Sequence, residues 1–350
     1  MDLNNLINKI GIKQKEENKA LDTYIENYNQ NNEKLETLLS KFKEIVSDGA
    51  APRLYIDEDV NEYYNYINKK INDLEFDREN LNLLLDNLPL YQINIIKNND
   101  ENTKFGLFLS ALINKNLKAG EKVQITALMP INFLFYRLEN VETYVNKAGD
   151  YLGYKAKNSK ICAGEARDYT GYKMEGCELH VKKAKDYLGE SAKNSRIYAD
   201  ESGNQSGKFM EECELRVKKS DEYLGNGAKN SRIYADEAEN RAGWVMEGCE
   251  LYVKKANDSL GYGAENSRIY ADEAGDEAGP FMQNSKLFIY ELNGKLAESC
   301  LKRKNKVYLG KESYDKFPEY HRKVKIWEKK ALDNALKAVP ADIQDRSRLE

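Results

Sequence analysis

The chain has 350 residues, with 54 lysines and arginines against 58 acidic residues and a formal net charge of −4. That balance excludes the global basic field that draws a protein to nucleic acid, and no apolar run approaches the length of a membrane span. The N-terminal stretch lacks the charged, apolar and cleavage regions of a secretory signal. Together with five cysteines that form no evident disulfide framework, this points to a cytoplasmic protein.

Residues 3–47 carry apolar side chains at alternating steps of four and three: Leu3, Ile7, Ile10, Leu21, Tyr24, Tyr28, Leu35, Leu38, Phe42 and Ile45. A second run follows Gly49 and Pro52, with Val60, Tyr64, Ile67, Ile71, Leu74, Leu81, Leu85 and Leu88 in the seam. Such 3.5-residue periodicity with polar flanks predicts an antiparallel coiled-coil hairpin over residues 1–90, with Asp57 as N-cap of its second helix. The helices are unequal, about 67 Å against about 48 Å. The first dozen residues should therefore overhang, and Leu3, Leu6, Ile7 and Ile10 need a second subunit or another surface of this chain to cover them. A frayed end weighs equally against that contact.

The period changes from about residue 104. Glycines 153, 171, 189, 207, 225, 243, 261 and 279 recur every 18 residues, and NSRIYADE returns every 36. Short alternating triplets share the spacing, from Phe105-Leu107-Leu109 through Val123-Ile125-Ala127 to Ser285-Leu287-Ile289, with a degenerate last coil around Val307. Alternation by two puts each triplet on one strand face. The prediction is a parallel β-solenoid over residues 91–310, eleven clear rungs making a rod of about 50 Å. Eighteen residues are also five helical turns, but a helix would turn Ile269 and its equivalents outward and would accumulate glycines.

The phrase Ala148-Gly149-Asp150-Tyr151-Leu152-Gly153, followed by Ala156 and Ser159-Lys160-Ile161, resembles the repeat of the GXGXG β-helix, as does Asp276 to Met282. That repeat occurs in the C-terminal domain of glutamate synthase large subunits and in one of the subunits of formylmethanofuran dehydrogenase. The resemblance covers residues 139–300 and implies a right-handed β-helix of scaffold type. Here Asn-Ser or Gly-Cys replaces the family's paired glycines.

The 36-residue period reads mainly as charge. One outward column runs Glu142, Lys160, Glu178, Arg196, Glu214, Arg232, Glu250, Arg268, and beside it Lys182-Lys183 alternates with Asp200-Glu201 and onwards. Stacked in register, every vertical neighbour is opposite in sign, which penalises a slip by one coil. An aromatic column, Tyr144, Tyr198, Tyr234, Tyr252, Tyr270 and Phe288, is interrupted by Cys162, His180 and Arg216. Its unbroken part, Tyr234, Tyr252, Tyr270 and Phe288, is the predicted docking flank, with a solvated stacking ladder as the rival reading. The Asp150–Asp276 column suits side chains closing turns onto backbone N–H groups better than a calcium ladder. Cys177, Cys213 and Cys249 share a column with serines and read as small buried fillers.

Catalytic chemistry finds no foothold. The chain has two histidines and no phosphate loop, and the aliphatic six-residue recurrence of hexapeptide acyltransferases is missing. No cofactor or metal is implied. Residues 311–350 should supply an amphipathic capping helix near 317–338, built on Tyr320, Val324, Trp327, Leu332, Leu336 and Val339. The sequence thus predicts a non-enzymatic scaffold that docks a protein partner or oligomerises through its coiled coil, with no nucleic-acid partner. The alternative, carried by the resemblance alone, is an accessory structural subunit of an oxidoreductase or amidotransferase complex.

Overall fold

The computed structural model describes residues 33–46, 57–89, 92, 96, 98–302 and 304–327. The chain divides at Leu117 and Lys118 into two compact units. The expected overhang, Leu3, Leu6, Ile7 and Ile10, lies outside the described residues.

The first unit is helical. Its described helices are α1 (33–46), α2 (Asp57–Ile71), α3 (Arg78–Asp86) and α4 (Asn99–Asn116). Leu35, Leu38, Phe42 and Ile45 are buried on α1, as are Val60, Tyr64, Ile67 and Ile71 on α2, so the seam residues do form a core. The second run is not one helix, however. It stops at Ile71, where the Lys115 ammonium donates to the carbonyls of Ile71, Asn72 and Leu74 at 2.7, 2.9 and 3.1 Å. It restarts where Asp77 and Asn80 form a capping box. Carbonyls left open at the end of α2 are thereby satisfied by a cation.

A further correction concerns Phe105-Leu107-Leu109, which lie in α4 and not in a first rung. Gly106, Phe108 and Ser110 are buried as well, so the segment is enclosed on every side and the apparent alternation carries no strand face. Phe42 packs against Phe105 and Phe108 with ring centroids 5.3 Å apart in both pairs.

The second unit is the β-solenoid. Twelve strands, from β1 (Lys122–Ile125) to β12 (Val324–Trp327), make one all-parallel sheet in chain order. From β2 (Glu142–Lys147) to β10 (Lys286–Leu292) each register step is 18 residues, as Ile161↔Leu179 and Leu251↔Ile269 show. The expected degenerate coil is present as β11 (Lys306–Gly310), where Leu287 pairs with Val307 across a longer step.

Inside, the equivalents of Ile161 stack without exposure, alternating Ile and Leu. Two further columns alternate large and small: Ala156, Met174, Ala192, Met210, Ala228, Met246, Ala264, Met282, and Ala163, Val181, Ala199, Val217, Ala235, Val253, Ala271. The doubling of the repeat is therefore steric as well as electrostatic. Interiors pack at crystal-like density, so in these two columns a large residue in one coil is matched by a small one above it.

The glycine column occupies left-handed backbone, as in Gly225 at φ 69° and Gly243 at φ 72°. A Cβ on Gly225 would sit 2.3 Å from Ile233 Cδ1 in the core. Three other positions of each coil are also left-handed, represented by Tyr169, Lys173 and Asn194. Alternate residues then send their N–H groups to opposite neighbours: Tyr169 to the Asp186 carbonyl, Gly171 back to Leu152, Lys173 forward to Glu190. Backbone polar groups of the turn are thus satisfied between coils.

The tail departs from the expected helix over its described part. Residues Lys311–Lys316 form a short helix, α5, Pro318–Tyr320 a 3₁₀ turn, and Val324 and Trp327 belong to β12. Val307 pairs with Val324 and Gly310 with Trp327, so the open edge of β11 captures the segment as a strand. Residues 328–350 lie outside the described part.

Candidate functional site

The flank singled out from the sequence is one continuous stack. Successive rings from Tyr234 to Tyr252, Tyr270, Phe288 and Tyr308 lie 5.0, 4.7, 4.7 and 4.5 Å apart, each pair within 10° of parallel. Strand pairing alone sets this spacing, because identical positions of adjacent rungs lie one strand separation apart. The Arg216 guanidinium caps the stack, 4.6 Å from the Tyr234 centroid. At the other end Trp327 leans on Phe288 and Tyr270, centroids 5.6 and 6.5 Å away.

Tyr252 is consequently buried, and Tyr234, Tyr270, Phe288, Tyr290 and Tyr308 are half-buried around it. Burial, then the nearby Glu250 carboxylate, pushes the Tyr252 hydroxyl well above its ordinary value. Burial is also the first cause of the rise at Tyr234 and Tyr270. A neutral, ring-stacked surface of this kind presents ring edges and hydroxyls along the flank. Sequence reasoning missed Tyr308 because the longer coil breaks the 18-residue count, and missed Trp327 by assigning it to a helix.

The charge columns form the predicted vertical ion pairs. Lys160 meets Glu178 at 3.1 Å, Arg268 meets Glu250 at 2.7 Å, Lys183 meets Glu201 at 3.1 Å and Lys254 meets Asp236 at 2.6 Å. Each exposed pair contributes about 0–1 kcal/mol. A further alternating column escaped the sequence reading: Lys157–Glu175, Lys193–Glu211 and Lys229–Glu247, at 3.3, 2.9 and 3.5 Å. The alternation ends beyond Arg268, where Lys286 and Lys306 follow in the same column.

The remaining columns hold the backbone. Asp150, Asp168, Asp186, Asn204, Asn240 and Asp258 each accept from the backbone N–H of the same column one coil on, at 2.8–3.3 Å. The turn-closing role expected of them is not what these bonds perform: they accept from the next coil, 18 residues on, and so tie neighbouring coils together. Ser231 Oγ accepts the Cys213 N–H at 3.0 Å and donates to the Lys229 carbonyl at 2.7 Å. Cys249 Sγ takes the corresponding N–H of Ser231 at 3.4 Å. His180 hydrogen-bonds Glu178 at 2.7 Å and stacks on Tyr198. Among the described residues no group of three or more His, Cys, Asp or Glu is placed to hold a metal, and no helix is long and apolar enough to cross a membrane.

Burial lifts the Cys213 and Cys249 thiols from 9.0 to about 11. An unfolded chain ionises these thiols above about pH 9, whereas the folded one keeps them protonated to about pH 11. The folded pKa is the raised one, so their contribution is intact below about 9 and is lost as pH rises towards about 11. The urea midpoint of the wild-type chain should therefore fall further between about pH 8 and about pH 10 than that of Cys213→Ser/Cys249→Ser. Equal falls would assign the loss to other groups.

Comparison with protein-family models, curated proteins and solved structures returned no match.

Proposed function

We propose that the chain is a non-catalytic scaffold that holds partners along a rigid β-solenoid, akin in role to the scaffold portion of the GXGXG proteins. One observation carries this reading. The polar residues that repeat from coil to coil are engaged in holding neighbouring coils together, leaving the departures from the repeat to act. The aromatic flank from Tyr234 to Phe288, with half-buried rings around buried Tyr252, pairs no charges between coils, and it suits a protein surface better than a small polar ligand. Leu3, Leu6, Ile7 and Ile10 are the second proposed contact, where an apolar helical seam meets another subunit or a partner helix.

The test is sedimentation of the intact chain beside Leu6→Glu/Ile10→Glu. A drop in mass for the variant supports the helical contact. An unchanged mass removes it, and a chain that stays monomeric and binds no partner at either place sinks the scaffold reading.

A further inference from the structure

A second departure from the repeat lies at a corner of the solenoid, away from the aromatic flank. Among the described residues five large hydrophobic side chains are exposed, and three of them share one column: Phe209 at 54 %, Val245 at 45 % and Phe281 at 48 %. Gly227 and Gly263 stand between them. The column is left-handed throughout, with φ 54° at Phe209, 66° at Gly227, 46° at Val245, 64° at Gly263 and 57° at Phe281. Its coils are tied together by backbone bonds, Phe209 N–H to the Asn226 carbonyl at 2.9 Å and Val245 N–H to Tyr262 at 2.7 Å. A bulky aromatic or β-branched side chain is costly in this conformation, where the other coils carry Lys155, Lys173, Ser191 or glycine.

The glycines are also shaped to their neighbours. A Cβ on Gly227 would fall 2.5 Å from Phe209 Cδ1, and one on Gly263 would fall 2.9 Å from Val245 Cγ1. Each apolar side chain therefore leans over the coil that follows it and covers two rungs, giving a smooth strip. On one side runs the alternating column Glu211, Lys229, Glu247. On the other stand Lys208, Trp244 and Tyr262, with the last two rings stacked at 3.9 Å.

We infer that the strip from Phe209 to Gly263 is a homodimer interface, occupied by the same strip of a second copy running antiparallel. The alternation of charge selects this occupant. A two-fold axis across the strip, midway between the coils of Gly227 and Val245, sets every column opposite itself in reversed order. The Phe209 ring, lying over Gly227, then faces the Val245 side chain that lies over Gly263 of the second copy, and the reverse. Lys229 likewise faces Glu247 of the second copy, and Glu247 its Lys229. Lys229 and Glu247 are already paired within one chain at 3.5 Å, so the dimer closes a ring of four alternating charges. Lys208, whose ammonium pairs with Glu190 at 3.5 Å and lies over the Tyr187 and Phe209 rings, comes opposite the Tyr262 ring. The like pair that results, Glu211 against Glu265, is relieved by Lys193 on Glu211 at 2.9 Å and by the Gln283 amide on Glu265 at 3.1 Å. A parallel dimer, with its axis along the strip, would exchange the two flanks. Lys229 and Glu247 would then meet Asn226 and Trp244, which return no charge. Reversal of direction follows from charge, and self-matching of the apolar strip follows from the two-fold.

The test uses the full-length chain and mass-tagged copies, read by sedimentation and native mass spectrometry. Phe209→Gly/Val245→Gly places in the column the residue it already carries, so the fold is kept, and a thermal melt checks this. The dimer dissociation constant should rise about 30-fold or more, since each change is counted on both copies. Lys229→Glu and Glu247→Lys should each weaken the dimer alone. Mixed together they should form a heterodimer in preference to either homodimer. One copy then presents glutamate at both positions 229 and 247, and the other presents lysine at both. The inference is overturned by a wild-type chain that is monomeric at about 100 µM. It is equally overturned by a dimer that the glycine variant leaves intact, or by mixed variants that show no preference. Loss of the dimer in Leu6→Glu/Ile10→Glu but not in these variants would assign self-association to the N-terminal helices instead.

Discussion

Gly225→Ala should lower the stability of the solenoid by about 2–5 kcal/mol, seen as a lower urea midpoint. Two costs combine. Alanine in left-handed backbone loses about 1–2 kcal/mol, and the new methyl would lie 2.3 Å from Cδ1 of Ile233, a side chain with no exposure. Overpacking of a filled core adds about 1–3 kcal/mol. Gly227→Ala is the matched control, since its φ of 66° is close to the 69° of Gly225. At a concentration where the chain is monomeric, the obstructing atom belongs to exposed Phe209, which can swing into solvent, so only the backbone cost of about 1–2 kcal/mol remains. Equal losses at the two positions would show that the interior does not press on the glycine column.

Met246→Ala should cost about 2–5 kcal/mol, because the fully buried side chain fills the space left by Ala228 and Ala264 in adjacent coils. The sharper measurement is the exchange Ala228→Met/Met246→Ala. Total volume is conserved, yet the methionine introduced at position 228 would meet Met210, while the alanine introduced at position 246 would face Ala264. The exchange should lose about 3 kcal/mol or more, with overpacking above a cavity. Recovery to within about 1 kcal/mol of wild type would mean that the methionine column repacks freely and does not contribute to the doubled period.

Most of the solenoid is legible in the sequence because stacking repeats its demands. Gly153 and its equivalents announce themselves since each would drive a Cβ into the next Ile or Leu, although in the first coil Phe135 holds the same left-handed position at φ 63°. The three other left-handed positions are silent for the opposite reason. Their side chains point outward, so Tyr169, Lys173 and Asn194 occupy them at a local backbone cost that the inter-coil hydrogen bonds offset. The ends are less legible. Phe105 to Leu109 imitates a rung because enclosure on all sides erases helical periodicity, and β12 depends on an edge that exists only once β11 is in place. The aromatic flank was visible as a column, but its burial was not, since Trp327 arrives through a register step that no longer equals 18.

The alternation of methionine with alanine and of lysine with glutamate gives the coils a parity. Odd and even coils are different objects, and only a pair of them is a true translational unit. Lengthening or shortening the array by one coil would place two coils of the same kind in contact, doubling methionine against methionine and matching like charges along several columns at once. A change of two coils leaves every contact type in place. The solenoid can therefore alter its length without new compensation only in such double steps, and any docking surface on it would move by about 9.6 Å at each one.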